Sequence, residues 1–593
     1  GVSRVFAQCY SNAALSAILC AMSFDKNKIV ESYKGFDFIS VTDVPDNNAA
    51  GIYLRHRKTG LEVFHLLNDD SENLFAFAFR TPIKNATGAA HILEHSVFCG
   101  SERFPLKEPF ANMMNQSVNT YLNAYTCSDK TVYPASSMVK ADYFNLMDVY
   151  ADAVFFPLLK KEAFMQEAHR LELDADGKFS IQGVVYNEMK GNYSSFESVA
   201  ADVQLRSLFP DTNYAFDSGG DPAAIPFFSY DDFKAFHQKY YRPDNCLVFL
   251  CGNIATEEQL DFLQERFLAR LEQKYAAPAP HASYPAVAEE FTRMETPAPL
   301  ASPLKVSETA PDGGATGATV TVNWLCGQTK NLDELLECTF LAEVLVGHDG
   351  SPLARLLTDS QLGDDLAPLT GTFAEMKDFI FSLGLHGVQA GDEDTVYDLI
   401  FSGLKELCAH GIDRKDLDAA LMAAEFANRE VVRAGGPYAL VLLERALAGW
   451  NYGGDPASHL LYRAAFQKIK ENAERDDGYA VKLIKKYILE NNQYACVCVT
   501  PSASYLTERD AKEAELTQRL SADADRAALQ AELRMLHSYQ QKRETAEECA
   551  CIPRLKLSDL SLEPDGITTE ITVIKNGAHE IPLFKNTENT NGI

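Results

Sequence analysis

Hydrophobic residues recur along the chain with two different periods, and these predict strands that lead into helices. In Asn73–Arg80, phenylalanines occupy every second position, which predicts a strand with one buried face. Gly51–Leu67 contains two strand-like runs around a turn signal. After a loop, Thr87–Cys99 carries apolar residues at helical spacing, and Thr87 is placed to cap that helix. A strand followed by a helix, with further strands beside it, indicates an α+β fold.

The same criteria place further elements along the sequence. Strands are expected at Asn119–Thr126 and Asn245–Asn253. Helices are expected at Lys107–Ser117, Ala141–Phe156, Lys161–Glu172, Ile181–Tyr193, Ser229–Tyr241 and Thr256–Leu271. Residues 276–303 are rich in proline and alanine, which is typical of a linker between domains. Residues 503–546 are charged, rich in Ala, Leu and Glu and free of glycine, which favours a helical hairpin.

Composition narrows the class of protein. A chain of 593 residues exceeds what one core usually holds, so several domains are expected. The net charge of -29 argues against nucleic acid or an anionic membrane as partner and favours cationic peptides, although solubility alone also explains it. The 13 cysteines are scattered without a CxxC pair, so we expect reduced thiols and a cytoplasmic location, with an organelle matrix as the alternative.

No transmembrane span is expected from the sequence. The longest apolar run, Ala13–Phe24, is too short to cross a bilayer. Met22 reads as a natural start, so we interpret residues 1–21 as upstream translation, a tag or a presequence remnant and exclude them from the fold.

The stretch that carries candidate chemistry is His91-Ile92-Leu93-Glu94-His95. On a helix that advances about 100° per residue, His91 and His95 point within about 40° of each other, about 6 Å apart along the axis. Two imidazoles at that spacing can bind one tetrahedral zinc ion. Glu94 lies one turn from His91 and can reach a water at the metal without ligating it, as metal-assisted hydrolysis requires.

Two alternatives apply to this stretch. Histidines four residues apart can simply be surface residues, because a short pattern recurs by chance in a long chain. The apolar character of the helix favours a metal, since half-buried polar groups need partners. Cys99 lies one turn beyond His95 and is a rival zinc ligand.

The sequence around the motif resembles the pitrilysin/insulinase family of zinc peptidases, which carry the inverted motif HxxEH. The phrases HILEHSVFCGSERFPLKEPF, YLNAYTCSDKTVYP and QGVVYNEMKGNYSS resemble the presequence-protease branch of that family. The resemblance runs from about Gly35 to the end of the chain. It implies a zinc endopeptidase that degrades short or unstructured peptides, with one zinc ion per chain.

The resemblance also implies roles for individual residues. His91 and His95 would hold the zinc together with Glu188, which lies in the phrase NEMKG on a second helix. Glu94 would act as general base and then as general acid. Because the family uses a carboxylate as third ligand, Cys99 is disfavoured. Three glutamates of the helix predicted at 161–172 are rivals of the same type, on what looks like a solvated face: Glu162, Glu167 and Glu172.

Substrate binding is implied for the strand predicted at Asn119–Thr126. In the family this strand lies at the sheet edge beside the metal, and the peptide adds to it as an extra strand. By resemblance that role falls on Asn123, Ala124 and Thr126. The alternative for Asn123 is an ordinary turn or strand-end residue.

A second domain is expected to repeat the first. Aligning the two places Cys338–Ala342 on His91–His95 and Tyr494–Thr500 on Cys246–Gly252, so the second copy lacks the metal residues. The predicted divisions are an N-terminal extension at 1–34, a catalytic zinc peptidase domain at 35–275, a linker at 276–303, a second homologous domain at 304–502, a helical hairpin linker at 503–548 and the start of a C-terminal half at 549–593.

The resemblance further implies a C-terminal half that closes over the peptide, of which this chain would carry only the opening. We therefore expect peptide substrates and a missing C-terminal half as partners. The alternatives are a non-catalytic peptide-binding or scaffold member of the family, a fragment inactive without its C-terminal half, and a different zinc hydrolase such as an amidase.

Overall fold

The computed structural model of the protein describes residues 32–174, 176–274, 291, 294–433, 435–522, 524–561, 569–577 and 579–586. The apolar run Ala13–Phe24, the excluded residues 1–21 and most of the linker predicted at 276–303 lie outside the described residues. The described part contains two mixed α+β domains followed by a helical hairpin, which confirms the predicted fold class.

The first domain is built on a large sheet. Its strands are β1 Ser32–Tyr33, β2 Phe36–Val44, β3 Ala49–His56, β4 Glu62–Leu67, β5 Asn73–Arg80, β6 Asn119–Leu122, β7 Tyr125–Thr126, β8 Lys130–Ser137, β9 Arg170–Leu173, β10 Phe179–Gln182 and β11 Cys246–Gly252. Within the described residues the order is β1-β2-β3-β4-β11-β5-β8-β6, with β7 beside β8, while β9 and β10 form a separate hairpin. β6 and β7 therefore lie at the edge of the sheet.

Helices cover the face of this sheet that carries the three alternating phenylalanines. They are α1 Ala89–Val97, α2 Pro109–Met114, α3 Lys140–Phe155, α4 Lys161–Glu167, α5 Val184–Asn192, α7 Tyr230–Tyr240, α8 Thr256–Leu263 and α9 Ala269–Lys274, with a π-helical turn at Gln264–Leu268 joining the last two. Helix α6 Phe196–Arg206 instead packs against strands of the second domain. Ile92, Leu93 and Val97 of α1 join Phe75 and Phe77 in one buried core, so the sheet fixes the position of α1.

The second domain repeats this topology. Its strands are β12 Leu304–Pro311, β13 Ala318–Gln328, β14 Asp365–Leu366, β15 Gly371–Phe373, β16 Asp378–Val388 and β17 Tyr494–Ser502. β17 runs parallel to β12 and antiparallel to β13, just as β11 runs parallel to β4 and antiparallel to β5. Its helices are α10 Leu332–Val346, α11 Pro352–Asp359, α12 Glu393–His410, α13 Arg414–Arg429, α14 Tyr438–Trp450, α15 Tyr462–Arg475 and α16 Tyr479–Ile484.

Two long helices follow the second domain, as the composition predicted. They are α17 Tyr505–Ser521 and α18 Arg526–Gln541, and a short helix α19 Ala546–Cys549 and a strand pair, β18 Thr569–Asn576 and β19 His579–Asn586, come after them. No described helix combines the length and apolar character that crossing a lipid bilayer requires. Every cysteine among the described residues is unpaired.

The prediction that β5 has only one buried face is wrong, because all eight of its residues are buried. The second domain supplies the cover. Leu443 and Leu447 of α14 pack in one apolar cluster with Leu74 and Ala76, whose side chains lie on the face opposite the phenylalanines. The two domains therefore share a core across the first sheet.

Some predicted helix boundaries are also wrong. The helix predicted at 161–172 ends at Glu167, because the period-two pattern of Arg170–Leu173 pairs that segment with β10 as a strand. The helix predicted at 107–117 begins only at Pro109, whose missing N–H suits a first helical position. Ile181 belongs to β10, so the helix carrying Glu188 starts at Val184. The helix predicted at Ser229–Tyr241 agrees with α7, which Ser229 caps by accepting a hydrogen bond from the Asp232 backbone N–H.

The cap of α1 is a glycine, which corrects the prediction for Thr87. Gly88 adopts a left-handed conformation with φ of 68°, and the Thr87 hydroxyl instead donates to Asn85 Oδ1 at 2.6 Å. A Cβ on Gly88 would lie 2.5 Å from the carbonyl oxygen of Gly219, and one on Gly220 would lie 2.6 Å from Gly88 Cα. Glycine thus allows the start of α1 to pack directly on a neighbouring loop.

Candidate metal centre

Two histidines of α1 and one glutamate of α5 converge in the structure. The ring centroids of His91 and His95 are 4.9 Å apart, with the rings nearly perpendicular at 86°. Glu188 Oε2 lies 3.8 Å from His91 Nε2 and 3.7 Å from His95 Nε2. Among the described residues these three form the one group of His, Cys, Asp and Glu side chains whose donor atoms all lie within 4.8 Å of one another.

This donor set fits a zinc ion. Ligand atoms about 2.0–2.2 Å from a tetrahedral zinc lie about 3.3–3.6 Å from one another, only a few tenths of an ångström closer than the distances observed here. Two imidazoles and one carboxylate also leave a fourth position for water or substrate. The histidine side chains are largely buried, whereas the Glu188 side chain is 46% exposed, so the donor group is open to solvent on the side of Glu188.

Glu94 lies on the same helix but outside this donor group. Its Oε2 accepts a hydrogen bond from the Thr126 hydroxyl at 2.6 Å. This contact ties the helix to β7 at the sheet edge and uses one of the two carboxylate oxygens of Glu94. The arrangement keeps the carboxylate near the metal ligands without making it one of them.

The sheet edge is less regular than a single strand over 119–126. β6 ends at Leu122 and β7 begins at Tyr125, with Asn123 and Ala124 between them. Asn123 accepts a hydrogen bond on its carbonyl oxygen from the Tyr150 hydroxyl at 3.1 Å, and its side-chain Oδ1 accepts from the Ala124 N–H at 3.0 Å. The interruption comes at two of the three residues predicted to bind substrate, and the third, Thr126, lies in β7 and contacts Glu94.

Glu167 is a site residue that the sequence interpretation missed. It was placed on a solvated face, yet it is only 7% exposed, and its Oε2 lies 3.2 Å from His95 Nδ1. Burial lowers the pKa of His95, but the hydrogen bond and charge of Glu167, together with the charges of Glu94 and Glu188, leave that pKa raised. Helical spacing could have revealed this burial, because Glu167 lies four residues after the buried Ala163 and three residues after the buried Phe164 on α4.

The other rivals do not join the donor group. Glu162 is partly exposed on α4, and Glu172 pairs with Arg170 at 2.6 Å within β9. The Cys99 thiol lies 3.8 Å from the His95 backbone oxygen and 3.9 Å from Glu167 Oε1. Burial raises the pKa of Cys99 well above its ordinary value, which disfavours the thiolate that zinc requires.

A cavity of about 440 Å³ lies beside α5, between the loop at 221–223 and helix α17 of the hairpin. Charged side chains line it, and some of them bridge the first domain and the hairpin. Lys190 forms an ion pair with Glu513, and Arg509 donates to the Ser194 hydroxyl at 2.6 Å. We therefore interpret the cavity as part of the contact between the first domain and the hairpin.

Comparison with known proteins identifies the family. The family model for insulinase (peptidase family M16) matches residues 81–180, which contain α1 and the edge strands. The model for the peptidase M16 inactive domain matches 228–424, and that for the domain associated with subfamily C of these peptidases matches 499–593. The chain belongs to the M16 peptidase family. The inactive-domain match includes Cys338–Ala342, the segment that the predicted internal alignment places on His91–His95.

Relatives of this M16 chain include presequence proteases, as the resemblance predicted. Presequence protease 1 of Arabidopsis thaliana, chloroplastic/mitochondrial, is 33% identical over 91% of this chain and 50% of its own length. The mitochondrial presequence protease of Mus musculus is 32% identical over 95% of this chain and 54% of its own length. The crystal structure of pitrilysin superposes with a TM-score of 0.53 at 17% identity, covering 82% of this chain and 51% of pitrilysin, so it shows the shared fold. The chain spans about half the length of the curated relatives it matches.

Proposed function

We propose that this chain is the zinc-binding part of a metalloendopeptidase that cleaves short or unstructured peptides. The observation that carries the proposal is the convergence of His91, His95 and Glu188 within 4.8 Å, with Glu94 next to them but outside the donor group. Kinship with presequence proteases supports a peptidase, and the donor set supports zinc as its metal.

In this proposal a zinc ion held by the three donors supplies Lewis acidity, which makes water nucleophilic near neutral pH and polarises the scissile carbonyl. Glu94 provides the proton transfers. One of its oxygens accepts from the Thr126 hydroxyl, so the other takes the proton of the attacking water and later delivers it to the leaving amine. Thr126 thereby keeps the carboxylate oriented towards the reacting atoms.

The peptide is proposed to bind as an added strand along β6 and β7. These strands lie at the end of the sheet order, and β7 contacts the helix that carries the metal ligands. An arriving backbone would compete with Asn123 Oδ1 for the Ala124 N–H. Binding through backbone hydrogen bonds restricts the substrates to segments that can extend, which excludes folded proteins.

The decisive experiment measures zinc content and peptide cleavage in matched glutamate variants. Wild-type chain should bind about one zinc ion, Glu188→Gln should lose most of it, and Glu94→Gln should keep it. Glu162→Gln is the control, since Glu162 is a partly exposed glutamate of a neighbouring helix and lies outside the donor group. If the wild-type chain binds no zinc, or if Glu188→Gln retains wild-type zinc content, the proposed centre is wrong.

A non-catalytic member of the family is the second candidate, and one observation favours it: part of the chain matches the peptidase M16 inactive domain. That match begins after α5, so it leaves the donor group of the first domain outside its range. Cleavage of an extended peptide that disappears in Glu94→Gln while zinc remains bound would exclude this candidate.

A further inference from the structure

The two histidines of the donor group differ in how their second ring nitrogen is held. His95 Nδ1 lies 3.2 Å from Glu167 Oε2. His91 Nδ1 is buried without a hydrogen-bond partner among the described residues. Histidines that bind metals usually donate this second N–H to an acceptor, which fixes the tautomer and the ring orientation. Glu167 therefore supplies a hydrogen-bond acceptor to His95 Nδ1, whereas no described side chain supplies one to His91 Nδ1.

Glu167 is itself held by its neighbour on α4. Its Oε1 accepts a hydrogen bond from Gln166 Nε2 at 2.9 Å, so the two carboxylate oxygens serve two different partners. The Gln166 side-chain oxygen in turn accepts from Gln540 Nε2 at 3.2 Å. The amide orientation of Gln166 is determined by this arrangement, because the reverse orientation would place its oxygen against the Glu167 carboxylate.

Gln540 belongs to α18, the second helix of the hairpin, and this helix is anchored at several points around the site. Lys107 donates through Nζ to the Gln540 backbone oxygen at 2.9 Å and through its backbone N–H to Glu544. Lys161, at the start of α4, forms an ion pair with Glu532 of α18. The hairpin thus contacts the first domain on both sides of the glutamine pair.

We propose that Glu167 is a positioning residue for His95 and that α18 supports it through Gln166 and Gln540. The proposal rests on the zinc site proposed above. A continuous series of hydrogen bonds, from Gln540 to Gln166 to Glu167 to His95, then connects the hairpin to a metal ligand. The hairpin contributes to metal affinity as well as joining two parts of the fold.

Zinc affinity of the full 593-residue chain, measured by competition with a chelator, tests this proposal. Glu167→Ala should weaken zinc binding about 10–100-fold, the usual effect of losing such a partner. Glu167→Gln should recover part of that loss, because its amide oxygen can still accept from His95. Gln166→Ala and Gln540→Ala should each weaken binding about two- to tenfold, as expected for loss of one neutral donor in the series.

Gln530→Ala is the matched control for Gln540→Ala. Gln530 lies on the same helix and is exposed, and no described residue hydrogen-bonds to its side chain. Replacing zinc with cobalt(II) adds a spectroscopic readout, since the visible absorption bands report ligand geometry. The bands should shift in the variants at 167, 166 and 540 and stay unchanged in Gln530→Ala.

The outcomes separate this proposal from the proposed function. Absence of zinc binding in the wild-type chain overturns the metal centre itself. Wild-type zinc binding that persists undiminished in Glu167→Ala, with an unchanged cobalt spectrum, overturns only the positioning role. An effect in Glu167→Ala without one in Gln540→Ala, whose exposed side chain can be removed without disturbing a core, overturns the role of the hairpin.

Discussion

Leu443 of α14 offers a direct test of how the second domain holds the sheet that positions the proposed metal ligands. Its side chain is fully buried in the apolar cluster formed with Leu74 and Ala76 of β5. Leucine-to-alanine changes in cores cost about 2–5 kcal/mol, depending on how far the surroundings collapse. β5 is hydrogen-bonded to β11 and β8 on its two edges, so it cannot move into the gap. We therefore expect Leu443→Ala to lower the free energy of unfolding by about 3–4 kcal/mol.

The two tryptophans of the chain make the transition observable. Trp324 lies in the second core and Trp450 in the interface cluster, so Trp324→Phe leaves a reporter of the interface alone. Urea titration followed by Trp450 fluorescence gives the loss for Leu443→Ala in this background. Val441→Ala, on the same helix but 38% exposed, is the control and should change the free energy by about 0.5 kcal/mol or less. A loss below about 1 kcal/mol for Leu443→Ala would refute the shared core.

Three further outcomes are expected. Glu94→Gln should keep zinc and lose about 100- to 10,000-fold in peptide turnover. Thr126→Val should lose about tenfold or more in turnover, because it removes a hydrogen bond to the charged Glu94 carboxylate. Near wild-type rates with zinc bound would contradict both roles. Although burial alone would raise it, the pKa of the Glu62 carboxyl is lowered by hydrogen bonds from Tyr53 and Trp450 and by nearby arginines. Because this folded-state pKa lies below the unfolded-state pKa, ionised Glu62 stabilises the fold. That stabilisation is complete above the ordinary glutamate pKa and is lost as pH falls through the folded-state value. Acid titrations of the Glu62→Gln variant should therefore lack this loss of stability. The chain alone should cleave peptides slowly, since the proposed site is open to solvent on the side of Glu188, which is 46% exposed. A second polypeptide supplying the other half of the relatives' length should raise the rate about a hundredfold or more, and brisk cleavage without it would contradict this expectation.

The sequence predicted the parts of the site that depend on local periodicity. Two histidines four residues apart on an apolar helix had to share a face, and their meeting with Glu188 followed from the family resemblance rather than from spacing. Glu167 was missed because its burial depends on α4 packing against α1 and α18, which no local pattern of charges reveals. The second buried face of β5 was missed for a similar reason, since the helix that covers it lies far later in the chain, at Tyr438–Trp450. Thr87 and Gly88 compete for the same cap, and only the close approach of the Gly219 loop decides between them.

The contact between Gly88 and the loop at Gly219 has a mechanical consequence. Here the backbone of α1 contacts the backbone of the loop directly, with no side chain between them to adjust, so the start of α1 and the loop are rigidly coupled. The same loop continues to Asp221, which lines the cavity against α17, while Glu167 connects the far end of α1 to α18. Helix α1 therefore contacts a loop of its own domain at its start, and near its end it connects to the hairpin through Glu167 and Gln166. A shift of α18 relative to the first domain would therefore reach the His95 imidazole through three side-chain hydrogen bonds, without passing through the sheet.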